Sequence, residues 1–196
     1  MKWQFIKTII FHSLVLGLIL VVGTGCGHFV YVSGPYRGKV IDSESKTPIE
    51  GAAVLAIWYR EASGLGGHGP AFDYHDAVEV LTDAHGDFTV PRETHFTIIG
   101  KINEPDLIIY YPGYAPYPSL HTKPGGKEVL EAYENHFFAV ELPKLQTREE
   151  RIKNADLPVE VDSRVPEKKM PNMYRLINIE RKELGFQPIG GVKELK

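Results

Sequence analysis

The sequence predicts a mainly β protein: a seven-stranded antiparallel β-sandwich with an N-terminal signal segment and a helical C-terminal tail. Three observations lead there. Between residues 36 and 144, seven short runs are rich in β-branched and aromatic residues, several with period-two alternation. Turn-forming residues separate the runs. No long helical pattern interrupts them, which argues against a parallel βαβ sheet.

The runs follow in order. Residues 37–42 carry Val40 and Ile41. Residues 52–60 form a longer run with Val54, Ile57, Trp58 and Tyr59. In 77–81, Val78 and Val80 share one face and Glu79 takes the other. In 87–90, Phe88 and Val90 share a face. Runs 97–102 and 107–111 come next, and 137–142 closes the set. Asp83-Ala84-His85-Gly86 has the Asp-first, Gly-last preference of a type I turn. Pro112-Gly113 supplies a fixed φ and then a residue that tolerates positive φ.

Composition sets the outer limits. The chain has 196 residues, 43% of them hydrophobic and 24% charged, which excludes global disorder and a multi-span membrane protein. A net charge of −3 argues against a nucleic-acid binder. One cysteine excludes an internal disulfide framework and any zinc site of several cysteines.

Charge divides the chain at residue 144. Residues 26–143 hold 8 Lys and Arg against 16 Asp and Glu, a balance of −8, while 144–196 hold 12 against 9, a balance of +3. In the tail, 147–156 is rich in helix formers, with Thr147 and Glu150 spaced as a capping box. Residues 157–169 read as extended, with Pro158 and Pro166. Residues 171–184 place Met173, Tyr174, Ile177 and Leu184 at helical spacing, with Gly185 as the stop. Packing of this helix on its own domain is the favoured expectation, and packing on another protein the alternative.

Four blocks of the sandwich region stand in a telling order: Gly38-Lys39-Val40-Ile41-Asp42, then Thr47-Pro48-Ile49-Glu50-Gly51-Ala52-Ala53-Val54, then Thr82-Asp83-Ala84-His85-Gly86-Asp87-Phe88, then Pro112-Gly113-Tyr114. Each makes sense by itself. Pro48 and Gly51 shape the connection into the second strand, Gly86 relieves a turn, and Phe88 enters the core. Together they resemble the carboxypeptidase regulatory-like domain, a transthyretin-like (prealbumin-like) seven-stranded sandwich, over residues 36–142. The chain departs from a minimal module in an expanded segment at 61–76 and a long connection at 115–135. The resemblance implies a non-catalytic accessory or binding module, as in the appendages of receptors, adhesins and lipoproteins.

The N-terminus carries an address. Lys2 and Lys7 precede an apolar run of 15 residues, 8–22, shorter than the 20 or so needed to span a bilayer and typical of a secretory signal. Val22-Gly23-Thr24-Gly25-Cys26 resembles the lipobox of bacterial lipoproteins, although Gly23 stands where that family usually has Leu or a branched apolar residue. The resemblance implies cleavage before Cys26 and a lipid on its thiol. Gly27, not an acidic residue, follows and leans the expectation toward the outer membrane. The alternative is a buried cysteine in an uncleaved anchor helix. The expected organisation is a signal peptide at 1–25, a lead at 26–35, the sandwich at 36–144 and a charged helical tail at 145–196.

Candidate chemistry is sparse. His68, His75, His85 and His95 lie within 28 residues, with Asp73 and Asp76 nearby, and imidazole with carboxylate can bind zinc or copper. The spacing matches no ligand motif, so exposed loop histidines are the expectation. Gly64-Leu65-Gly66-Gly67-His68-Gly69 lacks the following helix and Lys-Ser/Thr of a phosphate cradle, and reads as a surface loop. There is no G-x-S-x-G and no H-E-x-x-H, and the carboxylates are scattered. Tyr110, Tyr111, Tyr114 and Tyr117, with Pro112, Pro116 and Pro118, form an aromatic patch that either caps the sandwich or binds glycans or peptides. The expected protein is therefore a cofactor-free lipoprotein, not an enzyme, held on a membrane through Cys26. Loops 61–76 and 110–135 and the C-terminal helix would meet an envelope protein or glycan. The alternative is a metal- or small-ligand-binding module using the histidine-bearing loops.

Overall fold

A computed structural model describes residues 30–62, 69–118, 137–155 and 164–190. The protein is mainly β. Its strands are β1 (Val30–Ser33), β2 (Tyr36–Asp42), β3 (Ala53–Ala62), β4 (Ala71–Leu81), β5 (Asp87–Val90), β6 (Glu93–Phe96), β7 (Lys101–Ile102), β8 (Asp106–Tyr110) and β9 (Phe137–Leu142). Two α-helices follow, α1 (Arg148–Asn154) and α2 (Pro171–Leu184), with a 3-10 turn at Glu167–Lys169 between them. One sheet has the order β5-β2-β9. A second has β3 at its centre, with β4 along one edge and both β8 and β7 along the other. β1 and β6 form a separate two-stranded ribbon.

The described strands number nine, not seven, because β1 and β6 fall outside the expected runs, and two expected segments change their extent. The lead expected at 26–35 contains β1, which pairs with β6 from Val30↔Phe96 to Ser33↔Glu93. The run expected at 97–102 is a strand only at Lys101–Ile102, because the chain turns at residues 98–100 and leaves Ile98 and Ile99 outside. The segment 61–76 is no simple loop: the β3–β4 hairpin continues to the pair Ala62↔Ala71, with a register shift between Trp58 and Tyr59. Pairing is antiparallel except between β2 and β9, which run parallel.

β3 is buried on both sides. Val54, Ala56 and Trp58 face a core shared with Tyr36 and Val40 of β2, Phe88 and Val90 of β5, and Phe138, Val140 and Leu142 of β9. Ala53, Leu55 and Ile57 face a second core built with Met173, Tyr174, Leu176 and Ile177 of α2. A period-two backbone sends successive side chains to opposite faces, so a continuous apolar run is what a strand covered on both faces needs. Each large side chain buried there contributes roughly 1.5–3 kcal/mol.

The tail is docked by two carboxylates. Glu79 of β4 accepts hydrogen bonds from Asn172 N at 2.8 Å and Met173 N at 2.6 Å. It does the work of the missing side-chain cap, since Met170 offers none at the start of α2. Glu180 of α2 is 1% exposed. Arg151 of α1 grips it through Nε at 2.7 Å and Nη2 at 2.6 Å, and Gly113 N donates to it at 3.0 Å. α1 begins with the expected capping box of Thr147 and Glu150, and α2 ends at Gly185 in the left-handed region.

The four sequence blocks meet at one end of the β2 sheet. Val40 N donates to Gly86 O at 2.9 Å, and Ile49 N to Val40 O at 3.1 Å. The Thr82 hydroxyl donates to Ile49 O at 2.7 Å while accepting from Ala52 N at 2.8 Å. The Tyr114 hydroxyl donates to Asp42 Oδ2 at 3.0 Å. Gly38 is needed for close approach, because a Cβ there would lie 2.2 Å from Phe138 O and 2.6 Å from the Phe88 ring.

Two predictions follow from these contacts. Arg151→Ala strands a buried carboxylate and is expected to cost about 3 kcal/mol, the low end for a broken buried pair because Arg151 keeps some exposure. Urea unfolding measures it, and a loss below about 0.5 kcal/mol, the ordinary surface value, would contradict the role. Asp42 is held down to about 2, first by the Ser45 N–H, against burial, and then by the Glu44 N–H and the Tyr114 hydroxyl. A depressed carboxyl stabilises the fold above its unfolded value near 3.8 and loses that contribution as pH falls toward 2. The stability gap between the wild type and Asp42→Asn should therefore be full above pH 4 and close toward pH 2. A gap independent of pH in chemical denaturation would contradict it.

Candidate functional site

A groove of about 570 Å³ opens beside the outer end of the β3 sheet, a size within the usual range for ligand pockets. Its apolar lining is Ile57, Leu107 and Ile108, all nearly fully buried. Tyr59, Phe72, Asp106, Tyr117, Pro118 and Arg164 complete it. Arg164 donates from Nη1 to Phe72 O at 2.7 Å, and its guanidinium sits 4.9 Å from the centre of the Tyr59 ring. Burial, then the Asp106 charge, raises the Tyr117 hydroxyl, so it stays a neutral donor. Aromatic faces, one carboxylate and one guanidinium around an apolar floor suit the stacking and hydrogen bonding that sugars and peptides require.

Two of the three expected contact regions supply residues here, and the C-terminal helix supplies none. Phe72 comes from 61–76, Tyr117 and Pro118 from 110–135, and Arg164 from the stretch that leads to α2. Tyr110 is buried in the second core, whereas Tyr111 and Tyr114 meet edge to face at 5.8 Å against the first. Most of the patch therefore caps the fold, and Tyr117 alone of the four lines the groove.

The histidines divide. His85 lies in the exposed turn after Asp83, as expected, and its N–H donates to Asp83 Oδ1 at 2.8 Å. His75 and His95 are not loop residues but lie on β4 and β6, with their rings 5.2 Å apart. His95 is buried, stacked at 6.1 Å on Tyr31 and 4.8 Å from Trp58, and its Nε2 has no hydrogen-bond partner among the described residues. Burial, then the neighbouring His75, lowers its basicity, against the opposing charge of Asp76. Trp58 Nε1 donates to Ser33 Oγ at 2.9 Å, which ties β1 to β3. The Tyr36 hydroxyl beside them donates to Glu104, and burial, then that bond, pushes it up to about 12.

Asp73 pairs with Arg60 at 3.0 Å. Burial works to raise the Asp76 carboxyl, but Lys169 at 2.6 Å and the Ala77 N–H outweigh it and hold the group below its ordinary value. Among the described residues, no three His, Cys, Asp or Glu side chains are placed to hold a metal ion. Cys26, His68, residues 64–68 of the glycine-rich stretch, and residues 119–135 lie outside the described residues.

Sequence reasoning missed Tyr59 and Arg164 as groove residues. Arg164 stands 92 residues from its partner Phe72, so no local spacing signals the contact. Compared with known proteins, the chain matches no family model, no curated protein and no solved structure. No helix among the described residues is long and apolar enough to cross a membrane.

His95 carries a testable pH dependence. A histidine whose folded basicity is lowered binds fewer protons folded than unfolded, so stability falls as pH drops below the ordinary value of about 6.5. His95→Phe keeps a ring against Tyr31 and Trp58 without the titrating group. The melting temperature of the wild type should fall relative to this variant between pH 7 and pH 5. Parallel curves would contradict the buried, neutral imidazole.

Proposed function

We propose that this is a lipid-anchored lipoprotein of the bacterial envelope, non-catalytic, whose transthyretin-like sandwich binds a protein or polysaccharide partner. One observation carries the anchor: the chain's single cysteine closes a signal-like leader and lies four residues before β1. One acyl chain binds a membrane marginally, whereas the two or three of a lipoprotein hold it stably. Support for the sandwich type comes from the contacts among Asp42, Ile49, Thr82, Gly86 and Tyr114, the blocks on which the resemblance rests. The groove between Tyr59, Tyr117 and Arg164 is the partner site in this reading.

A second reading keeps a metal or small ligand. It is favoured by the contact between His75 and His95 and by the Nε2 of His95, which has no hydrogen-bond partner among the described residues. Zinc or copper titration by calorimetry separates the two. Stoichiometric binding lost on joint replacement of His68 and His75 would favour this second reading.

The anchor is tested by Cys26→Ser, which should leave the precursor uncleaved or release the protein from the membrane fraction. Normal processing and sedimentation of that variant would contradict lipidation. For the partner site, the double variant Tyr117→Ala, Arg164→Ala should lower cross-linking to a co-purifying envelope component about tenfold, roughly 1.4 kcal/mol. Arg164 is exposed but Tyr117 is half-buried against the first core, so cross-linking is compared under conditions where the variant's unfolding curve shows it folded. Unchanged cross-linking would move the partner site elsewhere.

A further inference from the structure

The β1–β6 ribbon presents an apolar outer face. Alternation along the two strands sends Tyr31, Ser33 and His95 inward and Val30, Val32, Thr94 and Phe96 outward. Val30 pairs directly with Phe96, and Val32 with Thr94. The turn that follows β6 adds Ile98 and Ile99, where the sequence pattern calls for a buried strand. The exposures are 50% at Val30, 54% at Val32, 70% at Phe96, 85% at Ile98 and 72% at Ile99. Among the described residues, the only other large apolar side chain at least half exposed is Phe137. Scattered apolar residues on a surface need no explanation, but a contiguous cluster marks an interaction site.

The ribbon is not loose surface. Beneath it Ser33 accepts the Trp58 indole N–H, and His95 packs against Tyr31, Trp58 and His75. Inside the turn the Thr97 hydroxyl donates to Ile99 O at 2.7 Å, which fixes the bend that turns Ile98 and Ile99 outward. The apolar face is thus held rigidly away from the core.

Chain length decides what covers it. Val30 lies four residues after Cys26, and four fully extended residues reach about 14 Å at most. A lipid on Cys26 therefore keeps β1 within about 14 Å of the head groups. Apolar faces at such an interface sink about 5–10 Å into the head-group and acyl boundary. Lys101, exposed two residues beyond Ile99, suits the anionic head groups there.

We propose that the outer face of the β1–β6 ribbon and its turn, formed by Val30, Val32, Phe96, Ile98 and Ile99, is seated in the lipid bilayer interface beside the anchor. The proposal rests on the lipid-anchor reading and deepens it: the protein contacts the membrane directly and has a fixed orientation on it.

The test uses the full lipoprotein, extracted and reconstituted into vesicles of phosphatidylethanolamine and phosphatidylglycerol. Ile98→Cys is labelled with an environment-sensitive nitrobenzoxadiazole dye, with Glu149→Cys, an exposed residue of α1, as the comparison. The wild-type chain, its one cysteine blocked by lipid, takes no dye. Dye at 98 should emit further to the blue and lose at least half its intensity to brominated phospholipids, while dye at 149 changes little. Equal, water-like emission at both positions in protein that still floats with the vesicles would overturn the ribbon's docking and leave the anchor standing. Dye uptake by the wild type, or failure to float, would overturn the anchor reading and the docking with it.

Discussion

Burial of β3 on both faces is the constraint on which the rest of the structure depends. Its even-numbered side chains, Val54, Ala56 and Trp58, complete the core with the β2 sheet. Its odd-numbered ones, Ala53, Leu55 and Ile57, would lie in water if the sheet had one covered face. The C-terminal tail removes that exposure. The tail is therefore part of the folded body and not an appendage, despite its opposite charge balance. Glu79 and Glu180 then fix where α2 lies, one by capping its start and the other by joining it to Arg151 and to the turn at Gly113.

Much of this was legible in the sequence, for local reasons. The final strand and the second helix fall where the pattern placed them, Phe137–Leu142 and Pro171–Leu184, because alternation, the proline start and the glycine stop are encoded within a few residues. The capping box at Thr147 and Glu150 is equally local. What failed was nonlocal. The apolar stretch around Ile98 and Ile99 has the composition of a buried strand, yet among the described residues it pairs with no strand and the chain bends outward. The short strand at Val30 has no turn linking it to its partner, which begins 63 positions later at Glu93. His95 looks like a loop residue until β6 carries it under Tyr31. The groove draws on residues from Ile57 to Arg164, and no spacing rule joins them.

In the proposed reading, two surfaces divide the work. The ribbon of Val30, Val32, Phe96, Ile98 and Ile99 faces lipid, and the groove of Tyr59, Tyr117 and Arg164 faces a partner. They share no residue, so one can be occupied without displacing the other. The histidine cluster lies behind the ribbon, where burial keeps His95 neutral near pH 7 and lets it pack as an aromatic. That role explains its position without a ligand.

The central claim, a lipid anchor at Cys26, is tested most directly by intact-mass and N-terminal peptide mass spectrometry of the protein purified from envelopes. The account predicts a mature chain that begins at Cys26 and carries a diacylglyceryl thioether. A chain that begins at Met1, or one with a free Cys26 thiol, would contradict it.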